Sequence, residues 1–425
     1  MLQLIMAMML IDRKEACLSL ETGYNPFLLK SRNTKLVPKK GTEVLRLRDA
    51  SRYFSVIDNW ILWKNGTYPH AAQHSQIIAS LGCGSEELIK RKWDCISKKQ
   101  IIVTQSTTTS HNLAAIAKDA NTLLCVGGLL LKSSPRLHYL QVSSSSTYSK
   151  SLDIFPVLDY DAPGCVEMRS DRSHCELDGR LSLVRFRSDL FLYARANTNP
   201  NGGGRFVQVT KISSKHSASW SPFQLIHFAK NTKTSSTIYS EILSQPYLAA
   251  ERADIYFAAV NQNPVDANTM LALLPTVIRT STHGPKQQWR GEAAILLALS
   301  CDGIHFSPPS PILPATPLGA EINDHPADGF LLDSNSLFFF VHHGVPGTQA
   351  KLCDYKKGRL DTEQNKEIVF HGRSSNTTTA APPPLPPSRV VRYAISLPAL
   401  ANWTRHARHE LHLAHPHSCR VSSTT

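Results

Sequence analysis

The stretch His174 to Asn197, H-C-E-L-D-G-R-L-S-L-V-R-F-R-S-D-L-F-L-Y-A-R-A-N, decides how the rest of the chain is read. It opens with a compact charged cluster, Glu176, Asp178 and Arg180. Leu181 to Arg187 then has strand character, Ser188-Asp189 turns the chain, and Leu190 to Arg195 returns. A glycine loop, Gly202 to Gly204, leads into a third run from Phe206, which makes the whole one antiparallel unit. The glycines lack the strand-then-helix setting of a phosphate loop and read as a turn.

The layout recurs on both sides. His111-Asn112 leads into Leu113 to Ile116, a turn at Asp119-Ala120-Asn121, and Thr122 to Val126; Asp328-Gly329 leads into Phe330 to Leu332, a turn at Asp333-Ser334-Asn335, and Leu337 to His342. A second echo links Ser214, Trp220, Ser221 and Pro222 to Ser300, Phe306, Ser307 and Pro308, with Cys301-Asp302-Gly303 forming a tight turn in the later copy. Hairpins repeated every few tens of residues, with scarcely a helix among them, predict an all-β chain built as a five-bladed β-propeller. The expected division is a basic N-terminal extension over 1–50, a propeller over 51–398 with a Pro-rich insert at 377–388, and a disordered His-rich tail over 399–425. The N-terminal side should contain one helix, from Ser85 to Lys99, where a Ser cap, early acids and late bases suit the macrodipole.

With 425 residues, 42% of them hydrophobic, the chain can bury a large core, and no apolar run reaches the roughly 18 residues of a membrane-spanning helix. The net charge of +13 is unevenly spread: residues 151–350 hold 15 Lys and Arg against 18 Asp and Glu, and the flanks hold 31 against 15. The basicity belongs to the ends, where no aromatic-and-basic pattern or nucleic-acid motif accompanies it, so no nucleic-acid partner is expected. Nine cysteines lack zinc spacing; Cys165 and Cys175 either close a ten-residue loop or remain buried thiols. No metal or cofactor is expected. Sequons at Asn65, Asn376 and Asn402 lean localisation toward secretion or the endomembrane system.

A propeller brings the starts of its innermost strands to one channel mouth. That geometry selects His111 and Asn112, Glu176, Asp178 and Arg180, Tyr239 and Glu241 from T-I-Y-S-E, and Asp324, His325 and Asp328 from N-D-H-P-A-D-G. Carboxylates facing one another across such a mouth suit glycosidic bond cleavage, which needs one protonated acid and one ionised group; Asp178, Glu241 and Asp324 are the catalytic candidates. The remainder, with Arg195, are candidates for substrate binding.

Glu176-Leu177-Asp178-Gly179-Arg180-Leu181 resembles the E-D-P-R-I segment of the mannoside-phosphorylase group of five-bladed propeller glycosidases, with Gly179 in place of proline. Leu192 to Ala196 resembles the strand that follows it, and Ser300 to Phe306 resembles the Asp-box hairpin of such propellers. The resemblance implies an oligosaccharide or glycoside substrate, Asp178 as acidic catalyst or transition-state stabiliser, Arg180 as its partner or a phosphate or hydroxyl ligand, and Glu241 as a general acid. Relatives that hydrolyse place an Asp on the first inner strand, where this chain has His111-Asn112. A phosphorylase tolerates that loss because phosphate supplies the nucleophile. A propeller that binds glycans or a protein without cleaving anything stands as the alternative.

Overall fold

A computed structural model describes residues 36–46, 52–58, 60–65, 76–81, 100–104, 112–128, 130, 136–144, 150–151, 156–169, 174–200, 204–213, 219–230, 237–279, 291–315, 317–318, 321–322, 324–345 and 389–419. Five antiparallel sheets with four-stranded cores follow one another along the chain. Blade I is Arg52–Ile57, Trp60–Asn65, Gln76–Leu81 and Gln100–Thr104; blade II is Leu113–Asp119, Thr122–Gly127, His138–Ser143 and Lys150–Ser151. Blade III is Ser182–Phe186, Asp189–Asn197, Arg205–Ser213 and Gln224–Leu225. These are the blades of a five-bladed propeller, and the three hairpins read from the sequence supply the two inner strands of blades II, III and V.

Blade IV has an interrupted innermost strand, Ala253–Ile255 and Ala259–Gln262, both paired with Met270–Arg279, then Gly291–Ser300 and Ser310–Ala315. Blade V is likewise broken on the inside, His325–Pro326 and Leu331–Asp333 both pairing with Ser336–His343, followed by Arg389–Ser396. The breaks fall at Tyr256-Phe257-Ala258 and around Asp328-Gly329. There the chain leaves the ladder close to the channel.

The fourth strand of blade V comes from the far end of the sequence. Lys39–Arg46 pairs antiparallel with Arg389–Ser396, Lys39 opposite Ala394 and Arg46 opposite Arg389. The ring is therefore closed by residues assigned above to a separate N-terminal extension, and the boundary near residue 50 is corrected. Closure pairs the edges that blade V would otherwise leave open.

Apolar burial follows the blade order. One cluster lies between each successive pair of blades: Trp60 and Cys125 between I and II, Leu183 and Tyr139 between II and III, Phe191 and Phe306 between III and IV, Phe339 and Leu297 between IV and V, and Phe54 and Phe340 between V and I. The second strands of the blades are buried along most of their length, on both faces, and so is the third strand of blade IV, which explains runs such as Leu271–Leu274 and Ile295–Leu299 that do not alternate.

Helices α1 (Ile238–Leu243) and α2 (Pro246–Arg252) precede blade IV, and α3 (Leu397–Ala414) follows blade V. Over residues 399–414 the expected disordered tail is instead part of this helix. Leu400, Trp403, Ala407 and Leu411 are buried at helical spacing against the IV–V cluster, Pro398 sits in the first turn, and Ser396 caps it. A Cys301–Cys419 disulfide pins the far end of this segment to blade IV, and Cys165–Cys175 is also bridged. The helix expected at Ser85 to Lys99 and the Pro-rich insert lie outside the described residues.

Candidate functional site

The centre of the channel is polar and tightly packed. Arg180, 1% exposed, enters just before the first strand of blade III. Its Nη1 donates to the Pro326 carbonyl at 2.9 Å, and its Nη2 donates to the Phe54 carbonyl at 3.1 Å and to Ser55 Oγ at 2.6 Å. Its guanidinium carbon lies 5.4 Å from the Phe257 ring centroid. One side chain therefore joins blades I, III, IV and V. Asp328 is buried beside it: its carbonyl accepts from Val56 N at 2.7 Å and its carboxylate from Ser182 Oγ at 3.3 Å. Burial pushes the Asp328 carboxyl up to about 6, against the opposing pull of the Arg180 charge and of hydrogen bonds from Ser182, Asn261 and Gly329. Gly329 follows with φ +91°, and a Cβ there would strike the Val56 carbonyl. Arg180 and Asp328, both buried, tie the blades to one another.

Asn112 is another tie. It is fully buried, donates from Nδ2 to the Leu177 carbonyl, and accepts the Gly128 N–H at 2.9 Å, so it fixes the turn before Asp178 from the neighbouring blade. His111 lies outside the described residues.

Above this layer the side chains become partly accessible. Asp178 is 36% exposed and accepts from Arg195 Nη1 at 3.0 Å. Gly179, at φ +132°, is what allows that approach, because a Cβ would stand 2.9 Å from the Arg195 guanidinium. The position equivalent to proline in the resembling segment thus demands the residue this chain has. Arg195 is buried and lies over Tyr256, with 5.1 Å from guanidinium carbon to ring centroid. Arg205 covers the same ring at 4.6 Å and makes a two-pronged pair with the buried Asp254 at 2.7 and 2.9 Å. His325 stacks on Tyr256 at 5.0 Å. The cluster Asp178–Arg195–Tyr256–His325 spans blades III, IV and V.

Two flanking groups extend it. Arg169 donates to both oxygens of Glu167, at 2.7 and 2.9 Å, and to Glu176 at 3.1 Å; Glu167 also accepts from Asn197 Nδ2 at 2.6 Å. The Cys165–Cys175 bridge closes the loop that carries Glu167 and Arg169. On the other flank, Asp324 Oδ1 meets His343 Nδ1 at 2.8 Å, and His343 Nε2 meets the Tyr393 hydroxyl at 2.8 Å. Burial, then the Asp324 charge, pushes the Tyr393 hydroxyl up to about 12 against the opposing charge of Arg389. Carboxylate, imidazole and phenol form a chain leading from the mouth into the IV–V seam.

Tyr239 and Glu241 do not join this group. Thr237 caps α1 by accepting from Ser240 N, and Ser240 returns the bond to Thr237 N, so T-I-Y-S-E is a helix start where a strand was expected. Tyr239 turns into the III–IV core and Glu241 is solvent-exposed. The capping pair Thr237 and Ser240 was the signal. Tyr256, Arg205, Glu167, Arg169 and His343 are bonded to or stacked on this group without having been singled out in the sequence, and Tyr393 lies beyond His343 in the IV–V seam. Among the described residues no group of three His, Cys, Asp or Glu side chains is placed to hold a metal ion.

No family model matches the chain, and no curated protein matches it. Solved structures that resemble it include an α-L-arabinofuranosidase from Podospora anserina in complex with cellotriose, at 9% identity over 86% of this chain and 98% of that one, with a TM-score of 0.43. A mannose phosphorylase from Leishmania mexicana in complex with phosphate ion is 10% identical over 85% of this chain and 89% of that one, with a TM-score of 0.42. An α-L-arabinofuranosidase from Fusarium graminearum in complex with an iminosugar inhibitor is 9% identical over 86% of this chain and 98% of that one, with a TM-score of 0.41. All three have five-bladed propeller folds of the glycosidase type.

Proposed function

We propose that the chain acts on a glycosidic bond at the channel mouth, with Asp178 as the carboxylate that meets the sugar. The observation that carries this reading is the presentation of Asp178: an accessible carboxylate set on a glycine turn, oriented by a buried arginine that itself rests on Tyr256. A carboxylate held in one orientation by a charge-assisted bond is suited to stabilise an oxocarbenium-like centre or accept a proton from an attacking group. Asp324, beside His325 on blade V, is the second carboxylate. Its contact with His343 Nδ1 at 2.8 Å fixes its orientation, which suits Asp324 to the proton-handling role of the pair.

Phosphate as the attacking group would have to share Arg195 with Asp178 or Arg169 with Glu167 and Glu176, since each of these arginines already faces a carboxylate. The same pairing favours a second reading, a propeller that binds a glycan and leaves its bonds intact, because Asp178, Glu176 and Asp324 are all held by a cationic or imidazole partner. Purified full-length protein assayed on a panel of aryl glycosides and oligosaccharides, with and without inorganic phosphate, separates these. Turnover that requires Asp178 supports cleavage. Glycan retention without turnover, lost equally in Asp178→Asn, supports binding; turnover unchanged in that variant sinks both roles for the residue.

A further inference from the structure

We propose that Asn402 carries an N-linked glycan. Asn402-Trp403-Thr404 satisfies the acceptor pattern, and the structure adds two observations that the pattern lacks. First, Asn402 lies on the exposed side of α3, while Trp403 and Thr404 on either side of the helix stripe are buried at 5% and 4% exposure. A glycan at this position points into solvent and displaces only the surface contact from Arg405 Nη2 to Asn402 Oδ1 at 3.2 Å. Second, the chain holds two disulfides, Cys165–Cys175 and Cys301–Cys419. Such bridges persist in the oxidising compartments where glycan transfer also takes place.

The chemistry balances without any redox partner. The Asn402 amide nitrogen attacks the anomeric carbon of an oligosaccharide carried on a lipid diphosphate. The new C–N bond forms as the C–O bond to diphosphate breaks, the diphosphate leaves with the electron pair, and the amide proton goes to a base on the transferase.

The folded helix also sets the order of events. Thr404 Oγ1 accepts from Asn263 Nδ2 at 3.1 Å inside the IV–V seam, so the hydroxyl that a transferase must read is covered once α3 docks. Transfer therefore precedes docking of α3 and closure of Cys301–Cys419. The remaining sequons are placed differently: Asn65 ends a blade I strand, and Asn376 lies outside the described residues.

The test is mass spectrometry on full-length chain expressed in eukaryotic cells and released with peptide N-glycosidase in heavy-oxygen water. Asn402 should be converted to Asp with heavy oxygen incorporated. Asn402→Gln and Thr404→Ala should lose the mark completely, and Thr404→Ser should keep it. Cys419→Ser, which delays docking, should leave occupancy equal or raise it. An unconverted Asn402 peptide overturns the proposal, whether from protein with an intact Cys301–Cys419 bridge or from chain retained unmodified in the cytosol. Lower occupancy in Cys419→Ser overturns the order of events. None of these readouts depends on glycoside turnover.

Discussion

Asp178 and Gly179 act as one device. Substituting Asp178 by Asn keeps an acceptor for Arg195 but removes the charge, so turnover on a glycoside accepted by the parent protein should fall by about 10²- to 10⁴-fold, with stability lowered by about 1 kcal/mol because Arg195 is buried. Steady-state kinetics beside a thermal melt checks both numbers. Gly179→Ala should cost about 1 to 3 kcal/mol from the positive φ alone, and more from the clash with the Arg195 guanidinium. An unchanged melt for Gly179→Ala would show that the turn relaxes freely. His343→Gln should change the pH profile of any activity that uses Asp324 while leaving the propeller folded, a readout that a packing role would not move.

At the scale of elements, legibility depended on whether the signal was local. The hairpins at Leu113, Leu181 and Leu331 were readable because each is written as a turn dipeptide followed by a strand, a turn and a strand. Helix α3 was missed although Leu400, Trp403, Ala407 and Leu411 stand at helical spacing, because the five histidines between 406 and 417 suggested a tail. The closing strand Lys39–Arg46 was missed because a basic edge strand advertises little hydrophobic face. The mouth was half-legible: Asp178, Arg195 and His325 begin or line strands, whereas Tyr256 sits in a strand break and Tyr393 reaches the site from the third strand of another blade. No local pattern announces either. The Cys301–Cys419 bridge spans a sequence separation of 118, so in a chain-entropy account its removal should cost about 4 to 5 kcal/mol. Cys419→Ser should therefore melt well below the parent in the absence of reductant, and the gap should close when both are reduced.

At the scale of the whole molecule, a single buried guanidinium joins four of the five blades. Removing it leaves the buried Asp328 carboxylate without its cation, so Arg180→Ala should cost about 3 to 5 kcal/mol, measured by denaturant unfolding. Asp328 also ties stability to pH. Its folded pKa, about 6, lies above the ordinary carboxylate value near 4, so between those limits the native chain binds more protons than the unfolded one. Its contribution falls as pH rises through that window, by up to about 3 kcal/mol, and Asp328→Asn should remove this slope. A slope that persists in Asp328→Asn would place its source elsewhere.

The seam that closes the ring has a mechanical meaning. Because Lys39 faces Ala394, tension applied at residue 38 and at the start of α3 would open the ladder from one end, bond by bond, the weak direction for an antiparallel pair. The Cys301–Cys419 bridge reroutes such a load. A pull entering beyond Cys419 passes through sulfur to the end of a central strand of blade IV, between Met270–Arg279 and the outer strands, and bypasses the zip altogether. Single-molecule extension should accordingly show the oxidised chain yielding at high force within blade IV, and the reduced chain peeling first at its closing strand.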